Sequence, residues 1–115
     1  MLRKGLVYEN GRFAGIVSEI FPQSYVFRYD DDYFRDKEAP PISLTMPKST
    51  QEYRSRYLFP FFSNMLPEGH NRAAQAEILS LDIDDDFGFL LATCHTDTAG
   101  SVTVRKVEPD PDEIA

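Results

Sequence analysis

The sequence contains no tryptophan and a single cysteine, Cys94. No disulfide can close within the chain, and one thiol suits a reducing compartment. No apolar run approaches the roughly 20 residues that a membrane-crossing helix needs. The opening residues, Met1-Leu2-Arg3-Lys4-Gly5, lead into mixed polar sequence and lack the apolar core of a secretory signal. The expectation is a cytoplasmic protein with no membrane contact. Basic residues are the minority, 12 against 19 acidic ones, for a net charge of −7. Such a chain repels phosphate backbones, so direct nucleic-acid binding is not expected, whereas a basic protein surface would attract it. There is no internal repeat and no low-complexity tract.

The bulk comes from aromatics, nine Phe and six Tyr, within a hydrophobic share of 42%. That share is too high for a disordered chain, and 115 residues suffice for one domain with a modest core. We expect this domain over residues 1–107. The segment 108–115, rich in acidic residues and broken by Pro109 and Pro111, reads as a flexible tail.

Residues 4–9 alternate as a strand, and Asn10-Gly11 follows, the strongest short signal for a hairpin because both turn positions need positive φ. Arg12 to Ile20 is the return strand, and Tyr25 to Tyr29 a third. Asp30-Asp31-Asp32 reads as the acidic start of a short helix, where free N–H groups and the helix dipole favour carboxylates. Pro40, Pro41 and Pro47 frame Ile42 to Met46 as an extended stretch with edge-strand character. The run Phe59 to Leu66 is the most apolar of the chain. Beyond Pro67-Glu68-Gly69, a helix opens at His70 or Asn71, with Ala73, Ala76 and Leu79 at helical spacing. A second helix runs from about Asp85 to Thr93 with Phe87, Leu90 and Leu91 inward, and Ser101 to Lys106, after Gly100, closes as a strand. The order implies an α+β fold: a small antiparallel sheet or partly open barrel, two or three short helices on one side, and the first and last strands paired.

Three motifs imitate chemistry that the rest of the chain does not support. Asp86-Phe87-Gly88 spells the magnesium-binding triad of protein kinases, yet no glycine-rich phosphate loop, strand lysine or catalytic loop accompanies it. Asp85 or Asp86 reads better as a helix cap. Asp82 to Asp86 resembles the start of a calcium loop, but Phe87 occupies the position that requires glycine and Thr93 the one that requires a bidentate glutamate. Cys94, His95 and His70 lack the spacing of a zinc site. Cys94 reads as a small buried residue and His95 as a loop residue. No serine sits in a nucleophile elbow. The reading is a non-enzymatic binding domain with no metal and no cofactor. Its most apolar segment forms the core, and the Pro67–Gly69 turn offers a recognition surface.

Five segments resemble the N-terminal domain of HipA-type kinases. Leu58-Phe59-Pro60-Phe61-Phe62-Ser63-Asn64-Met65-Leu66-Pro67-Glu68-Gly69 is similar to that family's F-F-D-N-L-L-P-E/D-G/S signature. Pro41-Ile42-Ser43-Leu44-Thr45-Met46-Pro47 resembles its P-L/I-S-L-S-L-P segment, and Phe27-Arg28-Tyr29 with Tyr33-Phe34 resembles its F-x-Y and W/Y-L pair. Asp86 to Leu91 and Gly100 to Val104 resemble its D-x-F-x-L-L and G-A-V-x-V pair. The likeness runs in order over residues 4–106. In HipA the domain precedes a serine/threonine kinase core, and no kinase residues occur here. The resemblance therefore implies a stand-alone, HipS-like bacterial antitoxin of a three-component HipBST-type toxin–antitoxin system. It would bind and inhibit a HipT/HipA-like kinase, alongside a DNA-binding HipB-like protein. The alternative is a structural or activating subunit that the kinase needs for folding or for docking to DNA-bound HipB. The contact is expected at or near Phe62, Met65, Pro67, Glu68, Gly69 and His70. Many members carry tryptophan directly after the glycine and are thought to insert it into the kinase active site; His70 in that place implies a weaker, pH-sensitive insertion.

Overall fold

The computed structural model describes residues 3–21, 23–94 and 102–107, and its side-chain description omits Phe21. The expected loop residues His95 and Gly100, the start of the last strand at Ser101, and the tail 108–115 lie outside them. The elements run β1 Arg3–Glu9, β2 Arg12–Phe21, β3 Ser24–Tyr29, α1 Asp31–Arg35, β4 Glu52–Ser55, α2 Pro60–Ser63, α3 Gly69–Leu79, α4 Asp86–Thr93 and β5 Val102–Lys106. They form one open five-stranded sheet in the order β4-β3-β2-β1-β5, antiparallel throughout. The α+β reading holds, as the small antiparallel sheet and not the partly open barrel, with four helices among the described residues, α2 a single turn, where two or three were expected.

Local chemistry accounts for the first hairpin. Asn10 and Gly11 take φ of 52° and 80°, the left-handed values that a two-residue turn matching strand twist requires. β1 then pairs on its other edge with β5, Val7 facing Val104, as expected for terminal strands that need a neighbour. Alternation puts Val7, Val17, Phe27 and Val104 on one face, all fully buried. α4 seals this face with Phe87, Phe89, Leu90 and Leu91, apolar almost all round because it lies between the sheet and the other helices. Asp30 caps α1 by accepting from the Tyr33 amide at 3.3 Å, and Asp85 caps α4 by accepting from the Gly88 amide at 3.1 Å.

The Ile42–Met46 segment is not a strand. It is a run of turns whose anchors Ile42 and Met46 are buried. The reason is Tyr29, which sits fully buried at the end of β3. Its hydroxyl donates to the Met46 carbonyl at 2.5 Å and accepts from the Ile42 amide at 3.1 Å. One side chain thus satisfies two backbone groups of the loop, and the sheet edge is left to β4, which pairs Tyr53 with Phe27. Burial pushes the Tyr29 hydroxyl up to about 12.

Candidate recognition turn

Pro60 at the first position of α2 starts a single helical turn, its missing N–H costing nothing there. The turn closes through Ser63 N–H to Phe59 O at 3.0 Å and Asn64 N–H to Pro60 O at 2.9 Å. Met65 and Leu66 continue it with amide bonds to the carbonyls of Phe62 and Ser63. The chain then extends at Glu68 (φ −128°, ψ 160°) and reverses at Gly69, whose φ of +61° enters the left-handed region. A Cβ on Gly69 would meet nothing within 4 Å, so glycine stands there for its backbone and not for space.

Exposure divides the six expected contact residues. Glu68, Gly69 and His70 are exposed, and Met65 and Pro67 are half-buried, so these five lie along one stretch of chain that reaches solvent. Phe62 does not join them. It is fully buried, its ring 5.9 Å from Phe27, 6.3 Å from Phe59 and 5.2 Å from Phe61. A side chain with no exposed surface cannot touch a partner in this conformation, so its role is to hold the turn from beneath. Cys94 also lies beneath: it is buried, its thiol comes within 3.8 Å of the Met65 carbonyl, and burial raises its pKa, which disfavours the reactive thiolate.

Behind the turn, α3 packs thinly. Ala76 is its only buried residue, and Ala73 and Leu79, which share its helical spacing, are exposed. The helix ends at Ser80 with φ of 56°, and the Leu81 amide bonds back to the Ala76 carbonyl at 2.9 Å, which tucks Leu81 against the core in place of Leu79. Ile78 is 79% exposed, and Ile83 beyond the helix 48%. Arg72 holds α3 in place. Its guanidinium bonds the Ile83 carbonyl at 2.7 Å and Asp86 at 2.5 Å, and lies 4.6 Å from the centre of the Phe89 ring. Sequence reasoning missed Arg72, because a bond to a residue 14 positions away leaves no periodic trace.

The imitation motifs resolve structurally. Asp86 is held by Arg72, and Phe87 is fully buried. A Cβ at Gly88 would stand 2.3 Å from the Asp85 carboxylate, so this glycine is needed for the α4 cap. Arg3 grips Asp85 with two bonds of 2.8 and 3.0 Å and also bonds Glu19, which holds the Asp85 carboxyl below its usual range. The Asp82 carboxylate accepts the Asp84 amide at 2.9 Å. Among the described residues, no three His, Cys, Asp or Glu side chains gather as a metal site.

Comparison with known proteins places this architecture. The HipA N-terminal domain family profile matches residues 5–105. An uncharacterized protein of Haemophilus influenzae is 33% identical over 91 residues, covering 79% of this chain and 81% of that protein. A putative kinase of Sinorhizobium fredii, Y4mE, is 28% identical over 107 residues, which cover 93% of this chain but only 25% of the kinase. Among solved structures, an N-terminal domain of HipA toxin superposes with a TM-score of 0.69 at 25% identity, covering 96% of this chain and 97% of that one.

Proposed function

The chain belongs to the HipA N-terminal domain family, and on that premise we propose that it is a non-catalytic antitoxin that binds and inhibits a HipT/HipA-like serine/threonine kinase. The observation that carries this reading is the turn at Met65–His70. Its Glu68, Gly69 and His70 are exposed at the end of the matched signature, and it stands on a buried base of Phe59, Phe62 and Cys94. A fixed, proline-framed protrusion costs little ordering entropy on binding, which suits a recognition element. The Haemophilus relative, of which this chain spans most of the length, supports a small-protein version of the domain. The charge of −7 would draw the chain toward the basic, nucleotide-binding cleft of a kinase. A HipB-like DNA-binding protein would share the complex through the kinase.

A second reading is a structural or activating subunit. It is favoured by the Sinorhizobium relative, in which the matched region is a quarter of a protein named as a putative kinase. One experiment separates the two. The kinase is expressed with and without this chain, and its toxicity and its autophosphorylation after purification are measured. Inhibition predicts that both fall when the chain is present. Equal toxicity with and without the chain overturns the antitoxin reading, and a rise in kinase activity selects the alternative.

A further inference from the structure

The face of the sheet turned away from the helices does not follow the usual rule. In an antiparallel sheet with one covered face, the other is normally polar. Here the register places Leu6 opposite Ile16 and Tyr8 opposite Phe13, and Val26 lies on the same face through its pairing with Ser18. All five apolar side chains are half-buried, and none belongs to the core cluster or packs against it. The cations stand around them. Arg28 pairs with Ile16, Arg54 with Val26, Arg105 with Leu6, and Lys4 with Ser18, and all four are exposed. The acids beside them are Glu52, bonded to Arg54, Asp31, bonded to Arg28, and Asp30 next to it. A chain of net charge −7 therefore carries a face on which cations outnumber acids by one, with an aliphatic and aromatic centre. A shallow cleft of about 150 Å³ opens among Phe13, Ile16, Arg28, Asp30 and Asp31.

We propose that this sheet face is a second docking surface, and that its occupant is a protein surface with an apolar centre and an acidic rim. An apolar centre inside a polar rim is the anatomy of a protein interface. Charge selects the partner. Arg28 and Arg54 are paired with Asp31 and Glu52, which leaves Lys4 and Arg105, with no ion pair among the described residues, to favour carboxylates. The surplus of cations disfavours a face-to-face second copy, which would bring identical cations together. Of the two aromatic rings on this face, Tyr8 already carries the Arg105 guanidinium 5.0 Å from its centre, and Leu6, Ile16 and Val26 offer bases no stacking platform, which sets the face apart from single-strand binding sheets. The surface is independent of the kinase-binding reading. The recognition turn is carried by α2, whose Phe62 packs on Phe27, a residue of the opposite face. The chain would then bridge two proteins, one on each side of its sheet.

The test uses the full chain and a synthetic amphipathic peptide with leucines on one face and glutamates on the other. Binding is followed by amide chemical shifts. The expected result is shift changes centred on Leu6, Ile16 and Val26, with micromolar affinity that falls at least tenfold in the R28E/R54E/R105E variant and in Ile16→Ser, both with unchanged circular dichroism. Four results overturn the proposal: no shifts at millimolar peptide; equal binding of a scrambled peptide of the same composition; tighter binding of a single-stranded oligonucleotide to this face; or self-association through it, seen by light scattering and abolished by charge reversal.

Discussion

Phe62 separates support from contact, and alanine at that position tests the separation. The ring is fully buried and touches three other aromatic rings. Deleting a buried phenylalanine costs about 3–5 kcal/mol, the lost transfer energy plus the cavity left behind. Each aromatic pair adds about 0.5–1.5 kcal/mol beyond its buried area, which places Phe62→Ala in the upper half of that range, at about 4 kcal/mol. A domain of this size has roughly 5–15 kcal/mol in total, so the alanine variant keeps only about 1–11 kcal/mol of it. Phe62→Leu keeps most of the volume and should cost about 1–2 kcal/mol, leaving a folded protein. Urea denaturation gives both values, with an unchanged m-value as the check that the native state is the same. Kinase affinity is then measured on Phe62→Leu under conditions where it is fully folded, and it should match the wild type. The reasoning fails if Phe62→Ala costs less than about 1.5 kcal/mol. It also fails if folded Phe62→Leu loses tenfold or more in kinase binding, because the ring would then be part of the contact.

Tyr29→Phe keeps the buried ring but strands the Ile42 amide and the Met46 carbonyl, each worth about 1–3 kcal/mol when buried without a partner. We expect a loss of about 2–4 kcal/mol, concentrated in the loop, with the Ile42 amide losing its hydrogen-exchange protection; continued protection of that amide would contradict it. The same hydroxyl predicts alkaline weakening. Its folded pKa, pushed up to about 12, lies above the unfolded value near 10, so its contribution is whole below pH 10 and is lost as pH rises toward 12. Thermal melts between pH 8 and 11 should show this decline, and Tyr29→Phe should flatten it. Gly69→Ala should destabilise by about 1 kcal/mol through its positive φ alone, with Gly69→Asn costing less; equal costs in chemical denaturation would mean that the left-handed backbone is not the cause. Arg72→Ala should cost about 1–3 kcal/mol and raise exchange across α3 before the rest of the domain, whereas uniform exchange would show that α3 does not depend on this clamp.

The parts of this protein legible from sequence alone are those governed by neighbours along the chain. Asn10-Gly11 specifies the first hairpin because only such residues accept positive φ at both turn positions. Asp30 and Asp85 mark helix starts because a short carboxylate reaches the free amides of the first turn. Alternating Val and Phe set the buried face of the sheet, and the ordered family segments place residues 5–105. The tertiary structure decided what depends on residues far apart. Ile42–Met46 looks extended until the Tyr29 hydroxyl, 13 and 17 positions away, is seen to bond both its ends. Phe62 and Met65 are both apolar members of one signature, and only the packing against Phe27 shows that the first lies under the recognition turn while the second reaches its surface. Arg3 finds Asp85 from 82 positions away, and Arg72 finds Asp86 from 14. Backbone preference and periodicity act over a few residues, whereas burial, pairing and exposure are properties of the packed chain.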